Sequence, residues 1–369
     1  MEKKDNLGCL KRIKIKGFKS ISTLSIDIAP LNIIVGPNGV GKSNFVGIFD
    51  LLYNIGAKQL QKYIAINGGA NRFLHFGSKI TNNVSIQLDF SINQYICNLV
   101  YAVGNKFIFE KEEGCVKGDY VPKCIDFTKY GEEETSLNAT SYSIAGYIKT
   151  YLSGLKKYHF HDTTKESPLK QSANKRDNMQ LRGNGSNLAA MLYKFKNNEK
   201  YKYDYNQIVK TIRLVAPFFD DFILEPDEND NILLAWKHQD SDEHFDCFDF
   251  SDGTLRFIAL VTLLLQPNEF IPQTILIDEP ELGLHPYALK ILAELFKNVT
   301  RNGKQIIATS QSVSFINEFS YEDIIIADRI NGQSVFRRLD KEEVQNWLDE
   351  FAMGDIWARN IIGGMPNDF

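Results

Sequence analysis

The chain has 369 residues, of which 43% are hydrophobic and 24% charged. That balance supports a buried core and excludes wholesale disorder. The longest apolar stretch, Leu255 to Leu265, is broken by Arg256 and Thr262 and falls short of the ~20 residues a membrane span needs. A net charge of −4 gives no bulk drive towards nucleic acid or acidic lipid, although a local basic patch is compatible with it. The polar start, Met1 to Asn6, lacks the apolar segment of a secretory signal. The five cysteines are odd in number and never spaced C-x-x-C. The expectation is therefore a reducing cytosol, with neither a zinc site nor a disulfide framework.

Leu10 to Phe18 alternates apolar and basic residues, as a half-buried strand does, and Leu24 to Ile28 reads as a second strand. Leu31 to Val35 is nearly all apolar and runs into Gly36, the pattern of a strand buried on both faces. Val84 to about Phe109 reads as an antiparallel meander with turns at Ser91–Asn93 and Gly104–Asn105. Ser141 to Tyr158 and Ser186 to Phe218 read as helical, separated by a polar mobile loop from Lys165 to Gly185. Beyond Phe248, apolar runs at Thr274–Ile277, Lys304–Ala308 and Asp323–Ala327 are spaced by helical lengths, which predicts parallel strands joined by crossovers.

Gly36-Pro37-Asn38-Gly39-Val40-Gly41-Lys42-Ser43 fits G-x-x-x-x-G-K-[ST], after a buried strand and before a helix that begins with Asn44 and Phe45. The motif predicts that its glycines let backbone N–H groups face phosphates, that Lys42 would reach the β- and γ-phosphates, and that Ser43 would ligate Mg²⁺. A turn that binds nothing is the alternative, and the strand and helix on either side weigh against it. The strand Thr274–Ile277 ends in Asp278 and Glu279. Beside a P-loop, Asp278 can hold the metal and Glu279 can deprotonate the attacking water. Ser251-Asp252-Gly253-Thr254-Leu255-Arg256 opens an apolar helix. Ser251 serves as an N-cap on the simple reading and as part of an anion-receiving helix terminus on the functional one.

Together with Asp278-Glu279-Pro280-Glu281-Leu282-Gly283-Leu284-His285-Pro286 and Ala308-Thr309-Ser310-Gln311-Ser312, these motifs resemble the ABC-type ATPases of the RecF/SMC/OLD branch. The closest resemblance is to the prokaryotic AAA-domain ATPases of phage-defence loci. The likeness covers about 1–110 and 245–369, and the tail from Asp355 to Pro366 shares it. It implies an α/β fold: an ABC-type P-loop NTPase head with a mixed central sheet, an antiparallel β-lobe and an inserted helical lobe. The implied domains are 1–140 with Walker A and the β-lobe, 141–245 as the helical insertion, and 246–369 with signature, Walker B and switch. Lys42 and Asp278 stand 236 positions apart, a separation that accommodates such an insertion.

The resemblance further implies ATP and Mg²⁺ as cofactors, bound by Gly36 through Asn44. Two heads would sandwich two nucleotides, with Ser251 and Gly253 acting across the dimer and Glu281 to His285 near its seam. Gln311 occupies the switch position where transporters carry histidine; it can donate to a γ-phosphate but cannot become cationic. The implied function is a sensor in antiviral defence that controls a separate effector, such as a TOPRIM-type nuclease or a toxin. Arg329 to Phe369 is too short to hold that effector. A RecF-like repair ATPase is the alternative, and a transporter subunit ranks last because L-S-G-G-Q is absent.

Three further features stay open on sequence alone. His159 and His161 fit packing against the head better than a metal site, which needs more ligands. Lys194, Lys196, Lys200 and Lys202 interleave with aromatics, as a nucleic-acid surface or as lysines snorkelling over rings. Lys11, Lys14, Lys16 and Lys19 form a second candidate patch, which the exposed face of an edge strand explains better. The sequence points to no clear Q-loop glutamine, since Gln87 lies within a strand.

Overall fold

In a computed structural model, the described residues are 9–116, 123–137 and 142–364. Ser141, Met365, Pro366 and the Met1–Asn6 segment lie outside them. The chain forms β1 (Leu10–Phe18), β2 (Ile21–Asp27) and β3 (Leu31–Val35), then α1 (Lys42–Gly56) and α2 (Leu60–Ile66). A meander follows: β4 (Asn83–Phe90), β5 (Asn93–Ala102), β6 (Lys106–Val116) and β7 (Lys123–Asp126). Next come α3 (Ser143–Gly154), β8 (Lys156–Tyr158), β9 (Ala173–Asn174), α4 (Leu188–Lys196) and α5 (Lys202–Val215). Short strands β10 (Phe219–Ile223), β11 (Asn231–Ile232), β12 (Ala235–His238) and β13 (His244–Asp246) precede α6 (Asp252–Leu265) and β14 (Thr274–Ile277). The remainder is α7 (Pro286–Arg301), β15 (Gln305–Ser310), α8 (Val313–Ile316), β16 (Ile324–Ile330), β17 (Gln333–Arg338), α9 (Lys341–Val344) and α10 (Met353–Ala358).

Two units interleave along the sequence. The first comprises Met1–Lys157, Gln273–Leu276 and Gly303–Phe369. Its outer sheet runs β2-β1-β4-β5-β6-β7, and its antiparallel pairings match the meander read from alternation. The central sheet has the order β17-β16-β3-β15-β14-β8. β3 pairs in parallel with both β15 and β16, whereas β16 and β17 form an antiparallel hairpin, so the sheet is mixed. Every residue of β3 is buried, as its continuous apolar run requires. Phe45, Ile48, Phe49 and Leu52 of α1 join Ile34, Ile307 and Ile325 in one core; their i, i+3, i+4, i+7 spacing is why α1 forms and which face it buries.

Two readings need correction here. Lys11, Lys14 and Lys16 do lie on an exposed face, but β1 is flanked by β2 and β4 and is not an edge strand. A disulfide also exists, between Cys115 and Cys124. Spacing along the chain could not reveal it, because antiparallel register brings these two residues opposite each other in β6 and β7.

The second unit comprises Tyr158–Pro272 and Ile277–Asn302. Helices α4, α5, α6 and α7 pack in it as the apolar spacing predicts. The 219–246 stretch adds a three-stranded antiparallel sheet, β10-β12-β13, whose Trp236 stacks on Phe245 and Phe250. Lys165 to Gly185 is anchored, contrary to its reading as a mobile loop. Leu169, Ala173 and Leu181 are buried, β9 pairs with β11, and buried Asn187 donates to Asp177 O and Gln180 O. Its polar residues are spent on internal hydrogen bonds, which composition cannot distinguish from solvation.

Candidate nucleotide site

In the first unit, Gly36–Ser43 links β3 to α1. Lys42 is buried, and its Nζ donates to Gly36 O at 2.6 Å and Pro37 O at 2.9 Å, so the ammonium is folded into the loop it closes. Asn38 and Gly39 at the tip are exposed, as is Ser43 at the head of α1. Gly41 has φ 106°, and a Cβ there would lie 2.0 Å from Ser334 Oγ, so no other residue fits. Behind the loop, Asn44 Nδ2 donates to Ser20 Oγ at 2.7 Å, Ser20 and Ser334 hydroxyls meet at 2.6 Å, and Ser334 Oγ reaches Val40 O. Arg329 Nη1 donates to Gly39 O at 3.3 Å. Sequence reasoning missed Ser20, Ser334 and Arg329, since no local motif marks residues that arrive from the β1–β2 turn and the β16–β17 hairpin.

Gln311 follows the last residue of β15, and Ser310 is in register with Val35 on β3. The residue after each strand is therefore Gln311 on one and Gly36 on the other, which brings the expected switch residue beside the P-loop. Ser312 then caps α8 by accepting from Phe315 N.

In the second unit, Ser251 is the N-cap of α6; its Oγ accepts from Thr254 N at 3.1 Å. Ser251 is exposed and Gly253 half-buried. A Cβ on Gly253 would sit 2.3 Å from Gly283 O, so the signature glycine is demanded by contact with the loop after β14. Asp278 and Glu279 directly follow Ile277, and Glu279 adopts a left-handed φ of 41°, uncommon for a residue with a side chain. A small cavity lined by Phe160, His161, Arg256, Leu260, Asp278 and Glu279 adjoins this turn. His285 caps α7, with Pro286 in its first turn. The structure thus gathers Gly36–Asn44 with Gln311 in one unit, and Ser251 and Gly253 with Asp278 and Glu279 in the other.

His159 and His161 stack on each other, and among the described residues no metal cluster includes either. Each lysine of the helical patch has an internal partner. Lys194 donates to Asn178 O and lies over Phe270, Lys196 pairs with Asp221, Lys200 with Glu269 and Lys202 with Glu199. That is the snorkelling arrangement. Lys19 rests over Phe18 and Phe73, and burial lowers its pKa.

Among solved structures, the chain is similar to an SMC head bound to the C-terminal winged-helix domain of ScpA. The TM-score is 0.61 at 16% identity, covering 90% of this chain and 99% of that one. It is also similar to the SMC head with extended coiled coil bound to ScpA from Pyrococcus furiosus, at TM-score 0.55 and 14% identity, covering 92% and 98%. These likenesses bear out the ABC-type head fold. Among curated proteins, EcfA2 of Lactobacillus johnsonii, an energy-coupling factor transporter ATP-binding protein, is 29% identical over 32% of this chain. The chain spans only 40% of that relative's length. An ATP/GTP phosphatase of Helicobacter pylori is 21% identical over 83% of this chain and 86% of its own. No helix among the described residues is long and apolar enough to cross a membrane. The family model described as "AAA domain, putative AbiEii toxin, Type IV TA system" matches residues 31–317, and the chain belongs to that ATPase family.

Proposed function

We propose that this protein binds ATP with Mg²⁺ and hydrolyses it in a head-to-head dimer. The observation that carries the reading is the buried Lys42 ammonium, held by Gly36 O and Pro37 O at the foot of α1. A helix N-terminus and a captive cation are what a triphosphate requires. Gly36, Pro37, Asn38, Gly39, Val40, Gly41 and Asn44 shape and flank the phosphate cradle. Ser43 and Asp278 offer hydroxyl and carboxylate oxygens, hard donors of the type Mg²⁺ takes; the bound ion supplies neutralisation of the phosphate charge. Glu279 takes the proton of the attacking water and Gln311 donates to the γ-phosphate. Ser251 and the amides at Gly253 complete the partner's site.

The physiological role we favour is that of a sensor controlling a separate toxin or nuclease in antiviral defence, supported by the toxin–antitoxin setting in the family description. A RecF-like role on DNA is the second reading, favoured by the likeness to SMC heads. If nucleic acid is bound, the exposed Lys14 and Lys16 of β1 suit it better than the internally paired lysines of α4 and α5. Phosphate release by the purified chain, assayed with Mg²⁺ and with EDTA, tests the core of the proposal. Turnover that EDTA abolishes is expected; equal release in both, or none in either, contradicts it.

A further inference from the structure

Residues 160–163 have every backbone carbonyl engaged by a side chain. Arg256 Nε donates to Phe160 O at 3.1 Å and its Nη2 to His161 O at 2.7 Å. Ser167 Oγ donates to Asp162 O at 2.6 Å, and the buried Lys170 Nζ to Thr163 O at 2.8 Å. Arg256 also reaches Thr163 Oγ1 and, through Nη1, Leu282 O at 3.1 Å. One guanidinium on the first turns of α6 therefore grips both the 160–163 segment and the loop after Glu279. A planar fork with five N–H donors can do this; an ammonium cannot.

That segment presents His161 to the proposed base. His161 Nε2 lies 2.7 Å from Asp278 O. A carbonyl only accepts, so Nε2 carries the proton at this contact. The bond holds the peptide between Asp278 and Glu279, immediately before the left-handed Glu279. A non-glycine residue in that region persists only when its surroundings over-determine it. Asp278 N donates to Tyr158 O at 3.3 Å and Leu282 N to Glu279 O at 3.3 Å, which tie the same turn on either side.

We propose that Arg256 is a positioning residue for hydrolysis, acting through His161 on the Asp278–Glu279 turn. Neither side chain needs to touch nucleotide for this: Arg256 fixes the segment, the segment fixes the imidazole, and the imidazole fixes the orientation of the Glu279 carboxylate. The same grip links the signature helix to the base. The inference rests on Glu279 being the base, as proposed above.

The test compares Arg256→Met, Arg256→Lys, His161→Phe and His161→Gln by steady-state ATP turnover, binding of a fluorescent ATP analogue, and thermal unfolding. Arg256→Met and His161→Phe should each lower kcat about 10- to 100-fold, the scale of a small misplacement of a reacting group. Analogue affinity and KM should stay within about twofold, because the P-loop is untouched. His161→Gln, which keeps a donor at similar reach, should restore most of kcat, and Arg256→Lys should fall between. The Arg256→Met/His161→Phe double variant should be no slower than the worse single one, since both act along one path. If Arg256→Met fails to unfold cooperatively, His161→Phe against His161→Gln carries the test alone. Unchanged kcat, a loss confined to affinity, or additive losses in the double variant overturn the inference while leaving the ATPase reading intact. A wild type without turnover overturns both.

Discussion

The Ser334 hydroxyl lies 2.5 Å from the carbonyl oxygen of Val40, a residue 294 positions earlier in the middle of the phosphate loop. A hydroxyl has one proton, so if Ser334 spends it on Val40, Ser20 must donate to Ser334, and Asn44 donates to Ser20 in turn. The chain of bonds starts and ends on the P-loop and its helix, with the β16–β17 hairpin as the brace. Ser334→Ala should cost about 1 kcal/mol of stability and leave the loop less ordered. Gly41→Ala should cost more, because it adds both a strained φ and a clash with Ser334 Oγ. Adding Ser334→Ala to Gly41→Ala should recover part of that loss. Thermal unfolding of the three variants checks this, and no recovery in the double variant would place the penalty in the backbone alone.

Glu112 is buried in the outer sheet, where Tyr95 OH, Thr135 Oγ1 and Ser136 N all donate to its carboxylate. Burial nevertheless raises its pKa, outweighing those three bonds. The folded state thus keeps this proton at a pH where the unfolded chain has lost it. Its contribution to stability is fully present below the ordinary carboxylate pKa and is lost as pH rises through the higher folded value. Glu112→Gln should flatten that part of the stability–pH curve. Glu112→Ala, which strands three donors, should cost about 2–4 kcal/mol. An unaltered slope in Glu112→Gln would show that another group is responsible.

Much of this was legible in the sequence, and the reasons differ by element. β3 and α1 announce themselves because a continuous apolar run, a glycine-rich turn and a 3.6-residue stripe are all local patterns. Gln311 was legible only through the motif resemblance; the parallel register of β15 and β3, which the structure supplies, sets it beside the P-loop. The anchored 165–185 segment was illegible: Asn, Ser and Lys look alike whether they meet water or, like Lys170, a buried carbonyl. Arg256 stood inside a recognised motif, yet its acceptors lie on the 160–163 and 282 backbones, where side-chain identity carries no signal. The Cys115–Cys124 bond depended on strand register, which cysteine counting ignores.

That disulfide gives a chemical prediction. Cys9, Cys97 and Cys247 are free and buried, whereas Cys124 is exposed. An alkylating reagent should leave the native, unreduced protein unmodified and should label Cys124 first after mild reduction. Closing so short a loop is worth about 2–3 kcal/mol on the chain-entropy account, so the reduced protein should unfold at lower temperature. Labelling of Cys124 before reduction would contradict the bond.

The proposed dimer predicts complementation. Lys42→Ala and Ser251→Arg should each abolish turnover, the first by loss of phosphate contact and the second by filling the seam. In a mixed dimer one composite site carries both lesions and the other neither, so mixing should restore part of the activity. Freely exchanging subunits that remain inactive would count against a signature acting across the dimer.

The central claim is that Lys42 holds the triphosphate and Glu279 drives its hydrolysis, and separating binding from turnover tests it most directly. Retention of radiolabelled ATP and release of phosphate would be measured on wild type, Lys42→Ala and Glu279→Gln side by side. The account predicts turnover only in the wild type, no retained nucleotide in Lys42→Ala, and trapped, unhydrolysed ATP in Glu279→Gln. Turnover by Glu279→Gln equal to that of wild type would contradict it.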